Sequence, residues 1–148
     1  MYQQRVEPER NGNQRNGQVR EGDPGRPQTV VLPATDGVVV VVLFGEHDLC
    51  TAENLQRDVA RLIAEGAAVV IDVSQAAFID SACLHTLLRA QKQALALDRP
   101  LVVQTGTDTP ARRVLELSGT LGFLNAVESR AEAFNAHEAA RLARERAA

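Results

Sequence analysis

Between Thr29 and Phe134 the spacing of apolar residues changes several times, and each change marks an element. Val38 to Phe44 is an almost unbroken run of valine and leucine, and Val69 to Val73 is β-branched apart from Asp72. Short runs that are apolar at successive positions predict strands buried on both faces, and the second run predicts the central strand of a parallel sheet. Thr29 to Leu32 and Leu101 to Gln104 predict two shorter strands, and Asn125-Ala126-Val127 a last one. Pro33 and the turn-forming Thr35-Asp36-Gly37 make the first two strands an antiparallel pair. Gly45 is expected to close the valine strand, with Glu46, His47, Asp48 and Leu49 forming a polar loop.

The stretches between these runs carry helical periodicity. Thr51 is placed to cap a helix in which Leu55, Val59, Leu62 and Ile63 form one stripe, ended by Glu65-Gly66. After the central strand a short connection holds Phe78 and Ile79 as apolar anchors. Asp80 and Ser81, both N-cap types, then open a helix reaching about Leu97, with Leu84, Leu87, Leu88 and Leu95 at helical spacing. Thr109 followed by Pro110 predicts a third helix start, with Val114, Leu117 and Leu121 on its buried side and Gly119 and Gly122 at its end. Ser129 and Glu132 have the spacing of a capping box, so a terminal helix follows with Phe134 turned inward. Past His137 the residues are Ala, Arg and Glu, and that helix is expected to fray.

Strands alternating with helices of this size specify an α/β fold, a small mixed, mostly parallel β-sheet flanked by helices. Residues 1–27 are rich in Arg, Asn, Gln, Gly and Pro with almost no large apolar side chains, which predicts a disordered N-terminal tail. Residues 28–137 form the expected domain, and 138–148 its fraying C-terminal extension. The 148 residues suffice for one domain with a core, and four Phe and one Tyr leave that core to Val, Leu, Ile and Ala. A net charge of -3 exerts no general pull toward nucleic acid or anionic membrane, so neither is expected as a partner. No apolar run approaches the roughly 20 residues of a membrane span, and no signal-peptide core opens the chain; the expected location is the cytoplasm. Cys50 and Cys83 fit reduced thiols there, and two cysteines alone cannot make a zinc site.

Signals for catalysis are weak. Neither a phosphate-binding loop nor a dinucleotide fingerprint is present, and no cofactor is expected. Ser81 and His85 lie one helical turn apart with Asp80 adjacent, but neighbours on a helix diverge, and no Gly-x-Ser-x-Gly elbow occurs. A small hydrolase is therefore a remote alternative, and His85 reads as a surface or interface residue. Glu46, His47 and Asp48 are consecutive and rarely could converge on one ion, so no metal site is expected. Asp72 on a buried strand must find hydrogen-bond donors or change its ionisation; structural and functional readings of it stand about even.

Three segments, GEHDLCTAENL at 45–55, VVIDVS at 69–74 and FIDSACL at 78–84, together resemble the STAS family, the bacterial anti-sigma-factor antagonists and their relatives. The resemblance runs from about Val38 to Ala133. It implies a small α/β fold with a mixed sheet flanked by helices, and a protein that acts by docking, not by catalysis. In the sigma-factor branch the unphosphorylated antagonist binds a serine-kinase-like anti-sigma factor and frees the sigma factor. The kinase uses ATP to phosphorylate a hydroxyl at the start of the second long helix, which ends the interaction; a phosphatase restores it. A phosphate adds about -1.5 to -2 charge. A helix N-terminus accommodates that charge, whereas an acidic partner surface is repelled by it.

By this resemblance Asp48 falls where the family keeps an acid in the first loop, Asp72 and Ser74 match its Asp-x-Ser element, Asp80 and Ser81 its Asp-Ser, and Leu84 the leucine that follows. The usual acceptor position holds Ala82, which cannot be phosphorylated, and the glycine usually next to it is Cys83, a larger side chain on the docking surface. Either Ser81 takes over as phosphoacceptor or the protein binds its partner constitutively; Ser81 reads equally as a cap or first-turn hydroxyl. The implied docking surface is the Asp48 loop with the helix face from Asp80 to Leu88. A non-phosphorylatable scaffold or accessory subunit of a signalling or transporter assembly is the alternative.

Overall fold

The computed structural model describes residues 28–33, 35–47 and 49–148, so the predicted tail and Asp48 lie outside the described residues. In chain order the elements are β1 (Gln28–Val31), β2 (Val38–His47), α1 (Leu49–Ala64), β3 (Ala68–Asp72), β4 (Ala76–Ile79), α2 (Ser81–Ala96), β5 (Val102–Gln104), α3 (Pro110–Ser118) and α4 (Arg130–Ala147). The sheet has the order β1-β2-β3-β5, with β1 antiparallel to β2 and the other pairings parallel. The mixed, mostly parallel sheet expected from the sequence is therefore the one observed, and β3 is an interior strand.

Alternate residues of the apolar strands face opposite layers, as the period of a strand requires. Val41 and Leu43 of β2 and Val69 and Ile71 of β3 pack with Leu55, Val59 and Ile63 of α1, Leu87 and Ala94 of α2, and Ala111 and Leu115 of α3. Val38, Val40 and Val42, with Val70 and Val102, face the other way and pack against Ala133 and Phe134 of α4. Burying both faces explains why these strands read as continuous apolar runs.

The valine strand does not stop at Gly45. Gly45 takes φ 82, the pairing register shifts between Gly45 and Glu46, and β2 continues to His47. Positive φ at glycine signals a turn, but within a ladder the same freedom produces a bulge. Beyond the bulge β2 pairs with β4, the segment read as a simple connection. Val42 pairs with Asp72, whereas Gly45 pairs with Ala76. Thus β4 follows the line of β3 along β2 with one extra residue, and a three-residue link suffices because no crossover is needed. α1 starts at Leu49, two residues before the expected Thr51.

Other differences concern which side chains are inward. Leu117 was expected on the buried side of α3 but is 80% exposed; Ala111 and Leu115, one turn apart, hold the core contact. Leu95 and Phe78 are also about half exposed, whereas Ile79 is buried. Thr109 caps α3 by accepting from the Arg112 N–H at 3.1 Å, and Gly119 ends it at φ 72. The expected strand at Asn125 to Val127 shrinks to a single parallel bridge between Gln104 and Val127. α4 has the Ser129–Glu132 capping box and continues to Ala147, with Arg141 bonded to Glu138 and Glu145 along its outer side.

Candidate functional site

β4 delivers the chain to the start of α2. Asp80 has extended φ −98, ψ −175, and its carboxylate accepts from the Cys83 N–H at 2.9 Å, while its carbonyl accepts from the Leu84 N–H at 3.0 Å. Of the two residues suited to cap this helix, Asp80 is therefore the cap and Ser81 the first helical residue. Position follows from that assignment. Ser81 and His85, one turn apart, are exposed; Ala82 is half-buried; Leu84 is half-buried against the core layer that holds Leu87. His85 is thus the surface residue expected.

Cys83 differs from expectation. Its side chain is 0% exposed and belongs to the core beside Leu87, so it does not stand on the outer surface. Burial, and secondarily the Asp80 carboxylate, push its thiol from 9.0 up to about 12. Cys83 shares its helix face with Leu87, Ala90 and Ala94, all buried, and Ala82 is turned about 100° from that face.

His47 and Ile79 are registered partners, so the chain leaves the sheet toward 48 and toward 80 from adjacent points. The first loop and the α2 start, read separately in the sequence, diverge from that one edge. Phe78, expected as an apolar anchor, is instead about half exposed on the strand leading into α2 and presents an apolar side chain there.

Asp72 and Ser74 form a separate cluster. Asp72 is 2% exposed and lies on the line of Val70, facing α4 rather than α2. Its Oδ1 accepts from the Ser74 N–H at 2.9 Å and the Ser74 hydroxyl at 2.6 Å; its Oδ2 accepts from Arg130 Nη2 at 2.6 Å. Arg130 Nε donates in turn to Gln104 Oε1. A buried carboxylate with three donors, one of them a guanidinium, is fully satisfied. It ties β3 to β5 and α4. Arg130 was missed, although a cation in the first turn of a helix opposes the helix dipole and so hints at a carboxylate partner.

Gly106 completes this edge. It has φ +74, and a Cβ there would lie 2.9 Å from Thr109 Cγ2 and 3.0 Å from Ser74 Cβ. The loop from β5 to α3 is thereby closed tightly over Ser74. Among the described residues no group of three or more His, Cys, Asp or Glu could hold a metal ion, and no helix is long and apolar enough to cross a membrane.

The fold is shared with proteins of known structure. An anti-sigma factor antagonist from Mycobacterium paratuberculosis superposes with TM-score 0.68 at 27% identity, covering 78% of this chain and 97% of that one. The Bacillus cell fate determinant SpoIIAA in its phosphorylated form gives TM-score 0.57 at 23% identity, covering 72% and 96%. The murine anion transporter Slc26a9 gives TM-score 0.57 at 13% identity, covering 72% of this chain but 18% of the transporter. The last two likenesses concern fold alone. Comparison with curated proteins gives no match. The family model of the STAS domain matches residues 29–137, and with the sheet, helix order and α2 start in place the chain belongs to the STAS domain family.

Proposed function

We propose that this protein is an anti-sigma-factor antagonist that acts in the cytoplasm by docking on a serine-kinase-like anti-sigma partner, without catalysis of its own. The observation that carries this reading is the Asp80-capped start of α2 beside the end of β2, in a chain similar to an antagonist over nearly that protein's whole length. The docking surface would comprise the segment at Asp48 and the outward side of the α2 start, with Ser81, Ala82 and Leu84. Asp72, Ser74 and Cys83 would serve it from within, by holding the sheet edge and the first turn in place.

Ala82 decides the regulation. It occupies the usual acceptor position, and Ser81 is displaced from it by about 100° around the helix. A kinase aligns ATP with one hydroxyl, and a misplacement near 1 Å can cost about 100-fold in rate. Hence Ser81, though exposed, is a poor substitute acceptor, and partner binding would be constitutive. Incubation with the cognate kinase and ATP should leave the intact mass unchanged, and Ala82→Ser should create an acceptor. Stoichiometric phosphate on Ser81, abolished in Ser81→Ala, would restore the ordinary switch. Docking is tested separately by calorimetry with Ala82→Glu: an acid near a helix N-terminus leaves the fold intact but should weaken partner binding by about 10-fold or more. Unchanged affinity would place the interface elsewhere.

The same alanine favours a second reading, a scaffold or accessory subunit whose interaction never needed a phosphate. It differs in partner. A pulldown from native extract that recovers a transporter or signalling assembly, and no anti-sigma factor, would select it.

A further inference from the structure

We propose that a shallow hollow at the opposite end of the molecule binds a compact phosphate-class dianion, either inorganic phosphate or the phosphate group of a small monoester. The hollow is lined by Ala68, Arg99, Pro100, His137 and Arg144. Ala68 opens β3 and Pro100 precedes β5, so it lies at the N-terminal edge of the parallel strands. The α2 start lies at the other end of a 16-residue helix, about 24 Å away. The inference is thus independent of the docking reading.

The local chemistry is cationic and held in place. Arg99 Nη1 donates to the Gly66 carbonyl at 3.1 Å, and the Arg99 backbone N–H to Ala94 at 2.8 Å, fixing that residue between the ends of α1 and α2. Arg144 stands two turns beyond His137 on the same side of α4. The His137 ring is buried, its Nε2 2.9 Å from the Val69 carbonyl oxygen. Neither Arg99 nor Arg144 forms an ion pair among the described residues. Arg141, between His137 and Arg144 in the same helix, is bonded to Glu138 and Glu145, so those acids are engaged elsewhere.

Two arginines therefore line one hollow, neither of them in an ion pair among the described residues, in a chain whose net charge is -3. Guanidinium forks match the oxygens of a tetrahedral dianion. Arg99 and Arg144 are the charged residues that line the hollow with His137, and the Val69 carbonyl meets the ring on the strand side. Burial and the charge of Arg144 already hold His137 below its ordinary value, so a dianion in the hollow would favour its protonated form.

The test is NMR of the isotopically labelled full chain, titrated at constant ionic strength with inorganic phosphate, glycerol phosphate and sulfate. Sulfate keeps its charge across the histidine range, so it separates His137 titration from that of the ligand. Saturable shifts confined to residues near 66–68, 99–100 and 137–144 are expected, with sulfate raising the His137 midpoint. Arg99→Gln and Arg144→Gln, both folded by circular dichroism, should each weaken binding by about 5-fold or more. Equal binding of phosphate and glycerol phosphate would identify the phosphate group as the ligand; preference for phosphate would identify the free ion. Linear, unsaturable shifts spread over the surface would overturn the proposal, as would saturable binding unchanged in both variants.

Discussion

Replacing Arg130 by alanine tests whether the Asp72 cluster is the joint that fastens α4 to the sheet. In the folded protein Arg130 Nη2 and Asp72 Oδ2 are 2.6 Å apart, with the carboxylate side chain 4% exposed and the arginine side chain 39% exposed. At an effective dielectric near 20, unit charges about 3 Å apart attract by roughly 5 kcal/mol, much of it offset by desolvation. Removing one partner of a fully buried pair costs about 3–5 kcal/mol because the other charge is left stranded. The exposed side of Arg130 lets water reach the vacated space, and Ser74 still bonds Oδ1, which reduces the expected loss to about 2–3 kcal/mol. At about 4 °C per kcal/mol for a domain of this size, the thermal midpoint should fall by about 8–12 °C. Calorimetry and urea unfolding would measure it. An Asp72→Leu/Arg130→Met double variant, which strands neither charge, should recover at least half of the loss. A loss under about 0.5 kcal/mol in Arg130→Ala, or a double variant no better than the single, would refute the reasoning.

Gly106→Ala should destabilise by about 1–3 kcal/mol in urea unfolding, since the new Cβ meets Ser74 and Thr109 and the backbone has φ +74; a neutral result would show that the loop relaxes freely. The Cys83 thiol, buried and raised to about 12, should resist alkylation at pH 8 in the folded protein and react only on unfolding, which peptide mass spectrometry can follow. His137 is held below its ordinary 6.5, so between that value and its lower folded value the unfolded chain binds more protons. Stability should therefore fall as pH drops from about 6.5 through that window and level off below it, in a buffer free of phosphate and sulfate; urea midpoints in His137→Gln should lose this slope.

Much of the fold is legible in the sequence because its signals are local. Thr109 bonds Arg112, Ser129 bonds Glu132 and Asp80 bonds Cys83, each within three residues, so side-chain chemistry and spacing alone located three helix starts. The runs at Val38 and Val69 announced doubly buried strands because a helix layer covers each face. The STAS resemblance drew on the same stretches. What the sequence left undecided depends on residues far apart in the chain. Gly45 reads as a stop until β4, some thirty residues later, pairs beyond it and makes it a bulge. Asp72 meets Arg130 across 58 residues, and no periodicity links a strand acid to the first turn of a distant helix. Leu117 and Leu115 are equally apolar; only the positions of the strands beneath α3 select Leu115 for the core. Likewise Cys83 turns inward because the α2 face it shares with Leu87, Ala90 and Ala94 is the one packed into the core. Local bonding rules act over one helical turn and survive in the sequence, whereas the facing of a side chain and the partner of a buried charge are settled only when separate elements pack together.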